Sequence, residues 1–258
     1  MKLFARRRPE LVVSEERGVR QLHVGGEAIQ SAMRLEDPFA LELDYTRCMM
    51  AFLLFHPAPR RALMIGLGGG SLAKFFHRRL PGLRTRVLET DERVIATAPS
   101  LFHVPADDAR LAIEHGDGVK ALEPECCDLL VVDGFEDESA SPALVQQSFF
   151  YAAANALESP GAFVMNLMDD DRDLDRHLRR VERAFGGAVL AFKALRDPNI
   201  VVLALKGAPR EVAWRELRAR AGALERRYGL PFARMVERLR AMNRWSAQAL
   251  RIAPDEGG

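Results

Sequence analysis

The segment from Ala62 to Asp91 constrains the fold of this chain more than any other. It opens with a short apolar run and continues through the glycine-rich turn Gly66-Leu-Gly-Gly-Gly70. Apolar residues then recur over 71–80 at the spacing of one helix face, and a second apolar run ends at Glu89. The order strand, glycine turn, helix, strand predicts the first unit of an α/β domain with a parallel sheet.

The turn and the acids after the second strand also predict a class of ligand. Glycine permits a sharp turn and a close approach of backbone N–H groups, and an acid about 20 residues later is placed to accept hydrogen bonds from ribose hydroxyls. Ser71 stands where a dinucleotide-binding turn has its last glycine, so the pattern favours an adenosyl sulfonium over NAD. The candidate ligand-binding residues of this segment are Gly66, Gly68, Gly70, Glu89 and Asp91.

Composition and charge exclude several other classes of function. The net charge of +1 favours neither nucleic acid nor a membrane surface, and no apolar run approaches the roughly 20 residues of a membrane span. The basic cluster Arg6-Arg-Arg8 is followed by Pro9, so no signal peptide is predicted. Three cysteines cannot form a disulfide framework, which predicts reduced thiols and a cytoplasmic protein.

No metal site is predicted either. The adjacent pair Cys126-Cys127 lacks a partner pair at zinc spacing. The run Asp169-Asp-Asp171 precedes an amphipathic segment, and acids in that position normally cap a helix and complement its dipole.

The chain divides into three regions. Residues 1–57 predict a small β region, with strands over 11–14, 19–24 and 28–33, followed by an amphipathic helix from Tyr45 to Phe55. Residues 58–207 predict the nucleoside-binding domain. Residues 208–258 predict a helical extension, with helices over 209–227 and 231–250 that pack against each other rather than against another subunit.

The middle region predicts a Rossmann-like sheet of the class I methyltransferase type. The connection over 195–199 is too short for a helical crossover, so the last two strands are expected to pair antiparallel in an otherwise parallel sheet. After the first unit, strands are predicted over 110–115, 128–133, 161–167, 188–193 and 199–206, and helices over 91–98, 118–122, 143–157 and 174–185.

Polar groups follow four successive strands of this predicted sheet. Binding sites in open parallel sheets form at the carboxyl ends of the strands. The glycine turn and Glu89 close the first two strands, Gly116-Asp-Gly118 closes the third, and Asp133-Gly134 closes the fourth. Asp117, beside Gly118, is therefore placed to accept a hydrogen bond from an adenine amino group, and Asp133 is placed near the reacting end of the ligand.

Several motifs together resemble the spermidine synthase (polyamine aminopropyltransferase) family over residues 22–207. The glycine turn and Glu89 would suit any methyltransferase-like domain, whereas the hairpin that ends in Gln30 and the His56-Pro lead-in are more specific. The segments that carry the resemblance are Gly25-Gly-Glu-Ala-Ile-Gln30, His56-Pro-Ala-Pro-Arg-Arg-Ala-Leu-Met-Ile-Gly66, Glu89-Thr-Asp91, Gly116-Asp-Gly118, Leu129-Leu-Val-Val-Asp133, Phe149-Phe-Tyr151 and Pro160-Gly161.

The resemblance implies a donor, an acceptor and residue roles. The donor would be decarboxylated S-adenosylmethionine, or S-adenosylmethionine itself, used as a co-substrate without a metal. Glu89 would hold the ribose, Asp117 the adenine and Gln30 the aminopropyl or methionine tail. Asp133 would take the proton of a small-molecule amine, since an alkyl ammonium with a pKa near ~10 must lose a proton before it attacks. The resemblance also makes a homodimer the expected assembly.

The amine half of the predicted site departs from the family pattern. Gly69 stands where the family has an aspartate for the aminopropyl ammonium, so intact S-adenosylmethionine is expected to fit as well. Arg47 replaces a glutamate of the family's Tyr-His-Glu segment, which predicts a reversed charge in the amine pocket. Glu136 stands in for the second aspartate of the loop after Asp133, and either Glu136 or Asp44 is a candidate for the distal ammonium.

Two other functions stay open on the sequence. One is an S-adenosylmethionine-dependent methyltransferase on the same fold, with an acceptor that the sequence does not identify. The other is a nucleoside-binding protein that has lost its acceptor pocket and does not catalyse a reaction.

Overall fold

The computed structural model describes residues 10–136 and 139–253, with the backbone alone for 135, 136 and 139. The strands are β1 (Leu11–Glu16), β2 (Val19–Val24), β3 (Ser31–Arg34), β4 (Arg61–Ile65), β5 (Arg84–Glu89), β6 (Leu111–His115), β7 (Cys127–Val132), β8 (Phe135–Glu136), β9 (Ser139–Ala140), β10 (Leu157–Met168), β11 (Val189–Lys193), β12 (Asn199–Lys206), β13 (Glu211–Ala213) and β14 (Ala249–Arg251). The α-helices are α1 (Asp44–Met49), α2 (Ser71–Arg79), α3 (Glu92–Phe102), α4 (Gln147–Ala156), α5 (Leu174–Ala184), α6 (Trp214–Tyr228) and α7 (Phe232–Met242), with short 3-10 helices at Met50–Leu54 and Pro142–Val145.

Seven strands form one central sheet in the order β11-β12-β10-β7-β4-β5-β6. The neighbours from β10 to β6 pair parallel, and β12 runs antiparallel to both β10 and β11. The strand order reverses direction between β4 and β7, which creates the crevice where ligands bind in such sheets. The predicted class of fold, a mostly parallel sheet with an antiparallel last strand, is confirmed.

The core lies on both faces of this sheet. All six residues of β7 are buried, as expected for a central parallel strand whose apolar residues do not alternate. Alternate residues of β7 enter different apolar clusters: Leu129 and Val131 pack with Phe76 of α2, and Leu130 and Val132 pack with Phe149 of α4. The result is a three-layer arrangement of helices, sheet and helices.

Two predicted helices in the main domain were wrong in detail. Residues 118–121 form a turn rather than a helix, because the Asp117 side chain accepts the backbone N–H of Val119 at 3.0 Å. The segment predicted as a helix over 143–157 begins with a 3-10 turn and continues as α4 from Gln147. Strand β10 then starts at Leu157, four residues before its predicted start.

The N-terminal region forms a separate three-stranded antiparallel sheet in the order β1-β2-β3. Strand β3 begins at Ser31 instead of residue 28, because residues 25–30 turn back along the end of β2, where Gln30 N donates to Leu22 O at 2.9 Å. The following helix is not amphipathic: it is short, continues as a 3-10 helix, and Met49–Leu54 are buried on every side.

The C-terminal helices pack onto the main domain. Trp214, Leu217, Met235 and Leu239 are buried in the same cluster as the apolar residues of β4 and α2. The predicted helix over 231–250 ends at Met242, and the chain returns as β14 to pair with β13. In the ranges that the structure describes, no helix has both the length and the apolar character needed to cross a membrane.

Candidate active site

A cleft of about 1570 Å³ opens at the carboxyl ends of the parallel strands, beneath the N-terminal sheet. It lies at the point where the strand order reverses, as expected for an open parallel sheet. The strand-end residues predicted from the sequence therefore meet at one place. Those that line the cleft are Gln30, Gly66, Gly68, Glu89, Asp91, Asp117, Gly118 and Asp133.

The glycine turn forms one wall of this cleft with its backbone. Gly66 has a φ of +95°, and a Cβ there would lie 2.3 Å from the carbonyl oxygen of Asp133. Leu67 N donates to Glu89, Gly69 N to Ser31 Oγ and Gly70 N to Leu67 O. The expectation that the turn aims its N–H groups at a ligand was therefore wrong for these three. Such a wall suits a neutral nucleoside better than a pyrophosphate, which needs free N–H groups.

Gly70 supports the turn from behind and does not line the cleft. It is the residue before α2, with a φ of +67°, and a Cβ there would lie 2.3 Å from Val104 Cγ2. Local packing and the left-handed backbone conformation therefore both require a glycine at position 70. Gly70 lies outside the cleft lining, and its predicted part in ligand binding stays a prediction.

The Glu89 carboxylate fastens the first two strand ends to each other. Its Oε2 accepts Leu67 N at 3.0 Å, and its Oε1 accepts Thr90 N at 2.7 Å and Asp91 N at 2.9 Å. These bonds fix the orientation of the carboxylate in the cleft wall. Because each carboxylate oxygen has two acceptor sites, Oε2 retains capacity for a hydroxyl of a ligand.

The other two predicted nucleoside acids carry local structural bonds as well. Asp91 is the N-cap of α3, accepts Arg93 N at 2.9 Å and pairs with the Arg93 guanidinium. Asp117 accepts Val119 N at 3.0 Å and pairs with Lys120 at 3.2 Å, and its side chain is 42% exposed at the mouth of the cleft. Gly118 packs tightly, since a Cβ there would lie 2.6 Å from Ile65. The structure thus gives Asp91 a capping role and leaves Asp117 the more open of the two.

Asp133 is held between two neutral donors at the base of the cleft. Tyr45 Oη donates to its Oδ2 at 3.2 Å, and Asn166 Nδ2 donates to its Oδ1 at 3.0 Å. Desolvation raises the pKa of Asp133 above its ordinary value, and the two hydrogen bonds partly offset that rise. A desolvated carboxylate of raised pKa has the properties of a general base.

Burial keeps Tyr45 protonated and therefore a donor. Desolvation raises the pKa of Tyr45 well above its ordinary value, and the neighbouring carboxylates of Asp133 and Asp197 raise it further. The phenol hydroxyl also lies 3.3 Å from the carbonyl oxygen of Gln30. Tyr45 therefore links the N-terminal turn to the base of the cleft.

The structure describes the side chain of Gln30 but only the backbone of Glu136. Gln30 lines the cleft, and its Nε2 donates to Val24 O at 3.4 Å, which leaves its amide oxygen available to a ligand. Glu136 pairs through its backbone with Ser139 in the short β8–β9 ribbon, and its side chain lies outside the described part of the chain. The stand-in role predicted for Glu136 stays a prediction.

The two departures from the family pattern have local explanations. The Arg47 guanidinium donates to Leu41 O at 2.5 Å and to Glu42 O at 2.8 Å and lies outside the cleft lining. The expected charge reversal in the amine pocket was therefore wrong. A Cβ at Gly69 would lie 2.9 Å from Phe102 Cδ1 and 3.0 Å from Ser31 Cβ, so this position has no room for an aspartate.

A different aspartate lines the part of the cleft near Asp133 and Tyr45. Asp44 is buried outside the cleft lining, with Oδ2 accepting Arg196 N at 2.8 Å, so it does not fit the predicted role of binding a distal ammonium. Asp197, in the connection between β11 and β12, lines the cleft and accepts Tyr45 N at 2.9 Å. Asp170, after β10, lines the same end.

The sequence analysis missed four polar residues of this region: Tyr45, Asn166, Asn199 and Asp197. The signal for Asn166 was available, because it lies near the carboxyl end of a buried strand, as Asp133 does. Asn199 begins the antiparallel strand β12, and its N-terminal end lies at the same edge of the sheet. The carboxyl-end rule therefore extends to Asn166, and the antiparallel pairing of β12 with β10 brings Asn199 to the same edge.

Within residues 10–136 and 139–253, no group of three or more histidine, cysteine or acidic residues is placed to hold a metal ion. The acids after β10 have other partners: Asp169 pairs with Lys193, and Asp171 accepts Asp173 N at 2.8 Å just before α5. Asp173 is the N-cap residue of α5 and makes no side-chain capping bond, so this bond orders the turn before the helix, and the predicted capping by the run 169–171 was wrong.

Solved structures place the chain in the class of methyltransferase-like folds. A probable spermidine synthase from Corynebacterium glutamicum superposes with a TM-score of 0.70 at 20% identity, over 84% of each chain. Human methyltransferase-like protein 13, in complex with SAH, superposes with a TM-score of 0.63 at 24% identity, over 80% of this chain and 96% of the other. At these identities the likeness concerns the fold alone.

The sequence relatives identify the family. A polyamine aminopropyltransferase of Neisseria meningitidis is 38% identical over 91% of this chain and 90% of its own length. One from Chromobacterium violaceum is 37% identical over 95% of this chain and 94% of its own length. The chain therefore belongs to the polyamine aminopropyltransferase family, which confirms the predicted resemblance, and it is a transferase. No protein-family model matches the chain.

The methyltransferase alternative has weaker support. An eEF1A lysine and N-terminal methyltransferase of Xenopus laevis is 29% identical over 76% of this chain, which covers 32% of that protein. Since the aminopropyltransferases match at higher identity over nearly their whole length, the comparisons do not favour the alternative.

Proposed function

We propose that this protein transfers the aminopropyl group of decarboxylated S-adenosylmethionine to a small-molecule amine, with Asp133 as the general base. The observation that carries the proposal is the setting of Asp133. It is a desolvated carboxylate at the switch point of the sheet, oriented on both oxygens and next to the backbone wall at Gly66. Family membership supports the reaction type.

The proposed step needs one base and no acid. Asp133 takes a proton from the acceptor ammonium, and the freed nitrogen lone pair attacks the aminopropyl carbon that is bonded to the sulfonium sulfur. The carbon–sulfur bond breaks with its electron pair going to sulfur, which leaves as neutral methylthioadenosine. The acceptor becomes a secondary ammonium, and Asp133 returns its proton to solvent. Positioning the amine in line with that carbon supplies much of the rate.

We propose that the acceptor carries a second positive charge. Asp197 and Asp170 add two carboxylates to the end of the cleft where Asp133 lies, and Arg47, which would repel a cation there, is bonded elsewhere. Tyr45 separates Asp133 from Asp197, since its hydroxyl contacts one and its backbone N–H the other. A diamine long enough to span Asp133 and Asp197 would place one nitrogen beside each carboxylate.

The donor half of the proposal assigns the nucleoside to the other end of the cleft. Glu89 would accept the ribose hydroxyls, Asp117 the adenine amino group, and Gln30 would face the tail of the donor. The tail site has no carboxylate at position 69, so intact S-adenosylmethionine is also proposed to bind, as a competitor or an alternative donor.

A product assay by mass spectrometry tests this proposal. The protein would be incubated with either donor and with putrescine, 1,3-diaminopropane, cadaverine or spermidine. We expect an amine heavier by one aminopropyl group and equimolar methylthioadenosine with the decarboxylated donor. A methyl increment with intact S-adenosylmethionine would replace the proposal by a methyltransferase. Binding of methylthioadenosine without product under any condition would indicate a non-catalytic nucleoside-binding protein.

The assembly and the compartment stay predictions. We propose a homodimer in the cytoplasm, with the family resemblance and the β-sheet at the N-terminus as the support. Light scattering coupled to size-exclusion chromatography distinguishes a dimer from the 28.8 kDa monomer.

A further inference from the structure

Two asparagine side chains form a hydrogen-bonded relay from β12 to the Asp133 carboxylate. Asn199 Nδ2 donates to Asn166 Oδ1 at 2.9 Å, and Asn166 Nδ2 donates to Asp133 Oδ1 at 3.0 Å. Asn166 is 3% exposed and Asn199 is 7% exposed, so water competes little for these bonds. Both lie on neighbouring strands of the rigid sheet.

The donor and acceptor orientation of this relay is fixed by the carboxylate at its end. The Asp133 carboxylate only accepts, so the NH₂ group of Asn166 must face it. The oxygen of Asn166 is then turned toward Asn199, and a buried amide oxygen needs a donor. Asn199 provides that donor, and its NH₂ group also lies 3.4 Å from Met168 Sδ. If an acceptor replaced the NH₂ group of Asn199, Asn166 Oδ1 would lose its donor, and the Asn166 amide would no longer be held with its NH₂ group toward Asp133.

We infer that Asn199 is a positioning residue that acts through Asn166 to hold the Asp133 carboxylate in the orientation of the catalytic base. Asn199 itself does not contact Asp133 in this chain of bonds. Tyr45 fixes the other oxygen from α1, and among the side chains that the structure describes it is the titratable group hydrogen-bonded to Asp133. The inference rests on the proposed function for its kinetic consequence, but the hydrogen-bonded relay has a consequence of its own in the titration of Asp133.

The substitution Asn199→Asp reverses the polarity of the relay with little change of shape. An aspartate at 199 presents an acceptor where Asn166 needs a donor, so the Asn166 amide is expected to turn its NH₂ group away from Asp133. Asp133 then loses a hydrogen bond that lowers its pKa and faces an amide oxygen instead. The expected result is an Asp133 that binds its proton more tightly.

The first measurement follows the Asp133 carboxyl by NMR in protein labelled with ¹³C at aspartate side chains, with Asp133→Asn to assign the signal. We expect the titration midpoint of Asp133 to rise by about one pH unit in Asn199→Asp, the equivalent of a tenfold change in proton affinity. Asn199→Ala, which removes the donor without adding an acceptor, should produce a smaller rise. Asn199→Ser restores a hydroxyl donor and should recover part of the wild-type midpoint.

The second measurement is the pH profile of kcat/KM with decarboxylated S-adenosylmethionine and the best amine of the panel. The acidic limb should move by the same amount as the NMR midpoint, with kcat/KM about tenfold lower than the wild-type value at pH values on that limb and the KM for the donor unchanged. A merely structural role for Asn199 would lower stability without moving the limb.

Asn243 provides a matched control. Its side chain makes three comparable bonds, to the N–H and the carbonyl of Ala191 and to Leu239 O, but it fastens α7 to β11. Asn243→Ala should lower the melting temperature and leave the titration of Asp133 and the pH profile unchanged. If Asn199→Asp does not fold, Asn199→Ser and Asn199→Ala carry the same test.

The two proposals fail in different ways. A wild-type protein that yields no aminopropylated product contradicts the proposed function, and a shifted Asp133 midpoint in Asn199→Asp still supports the relay. An active wild type whose Asp133 midpoint and acidic limb are unchanged by every folded Asn199 variant overturns the relay and leaves the proposed function standing.

Discussion

The proposed nucleoside end and the proposed amine end of the cleft are built in different ways. The nucleoside end consists of turns that follow β4, β5 and β6 directly, and the bonds of Glu89 and Asp117 run to residues within a few positions of a strand end. The amine end gathers side chains from α1, β10 and the β11–β12 connection around Asp133. At the first end each acid also holds the turn in which it lies, whereas at the second end the acids join segments that are distant in the sequence.

The largest expected effect concerns the amine end. Asp133→Asn should lower kcat by about a thousandfold, within the 10²–10⁴ typical of a general base. Methylthioadenosine should bind with a dissociation constant within about threefold of the wild-type value, because the bonds of Glu89 are untouched. Steady-state kinetics and calorimetric titration measure the two quantities. Equal loss of binding and turnover would mean that Asp133 serves the nucleoside end instead.

The next effect concerns the nucleoside end. Glu89→Gln should weaken methylthioadenosine binding about a hundredfold and lower the free energy of unfolding by about 1–3 kcal/mol, because three backbone N–H groups share this carboxylate. Glu114→Gln is the control, since Glu114 pairs with Arg86 on the exposed part of the neighbouring strand. Calorimetry and urea denaturation are the measurements. Unchanged stability in Glu89→Gln would contradict the fastening role.

Restoring the family's aspartate tests why the tail site changed. Gly69→Asp should lower the free energy of unfolding by about 1–3 kcal/mol, because its Cβ would press on Phe102 and Ser31. The double variant with Phe102→Ala, which opens that space, should tolerate the aspartate better than the sum of the two single changes predicts. Urea denaturation of the four proteins measures the coupling. A stable, more active Gly69→Asp protein would show that the departure is functional instead of steric.

The pH dependence of stability follows from the raised pKa of Asp133. A carboxyl whose pKa is higher in the folded protein than the ordinary 3.8 makes folding less favourable as pH rises through that interval, because the unfolded chain loses the proton first. The cost is fully present once the pH exceeds the folded-state pKa of Asp133. Asp133→Asn removes it and should raise the melting temperature at pH 7 by about 2 °C, with no gain near pH 3. A lower melting temperature at pH 7 would mean that the ionised carboxylate stabilises the fold.

The smallest expected effect is kinetic and concerns Arg47. Arg47→Ala should change kcat/KM for the amine by less than about threefold, while stability falls by about 1–2 kcal/mol as Leu41 O and Glu42 O lose their donor. A kinetic assay and a thermal melt measure the two. A large fall in the KM for the amine would indicate that the Arg47 guanidinium lies in the amine pocket and repels the substrate.

The sequence was sufficient for the fold, and it brought together the residues of the proposed nucleoside end, because both depend on local patterns. The unalternating apolar run before Asp133 predicts a central strand, and the short connection over 195–199 predicts the antiparallel pair. Glu89 is the last residue of β5 and could be placed by counting residues. The helix predicted over 118–122 failed because one side chain, Asp117, took the N–H that starts a turn.

The amine end could not be predicted in the same way. Arg47 and Asp44 lie beside Tyr45 in the sequence, but the helix turns both away from the cleft and brings Asp197 to it from a loop 152 residues later. The spacing of residues within one segment cannot predict a contact such as that between Tyr45 and Asp197. Asn166 and Asn199 were within reach of the strand-end rule, whereas the absence of space beside Gly69 depends on Phe102 packing from another helix.

A crystal structure with methylthioadenosine and the best amine of the panel tests the central claim most directly. We predict that the ribose hydroxyls lie within hydrogen-bond distance of Glu89, and that the sulfur points toward the Asp133 end of the cleft. The amine nitrogen should then lie between that sulfur and an Asp133 oxygen. A nucleoside bound with its sulfur at the opposite end, or an amine out of reach of Asp133, would contradict this assignment of the cleft.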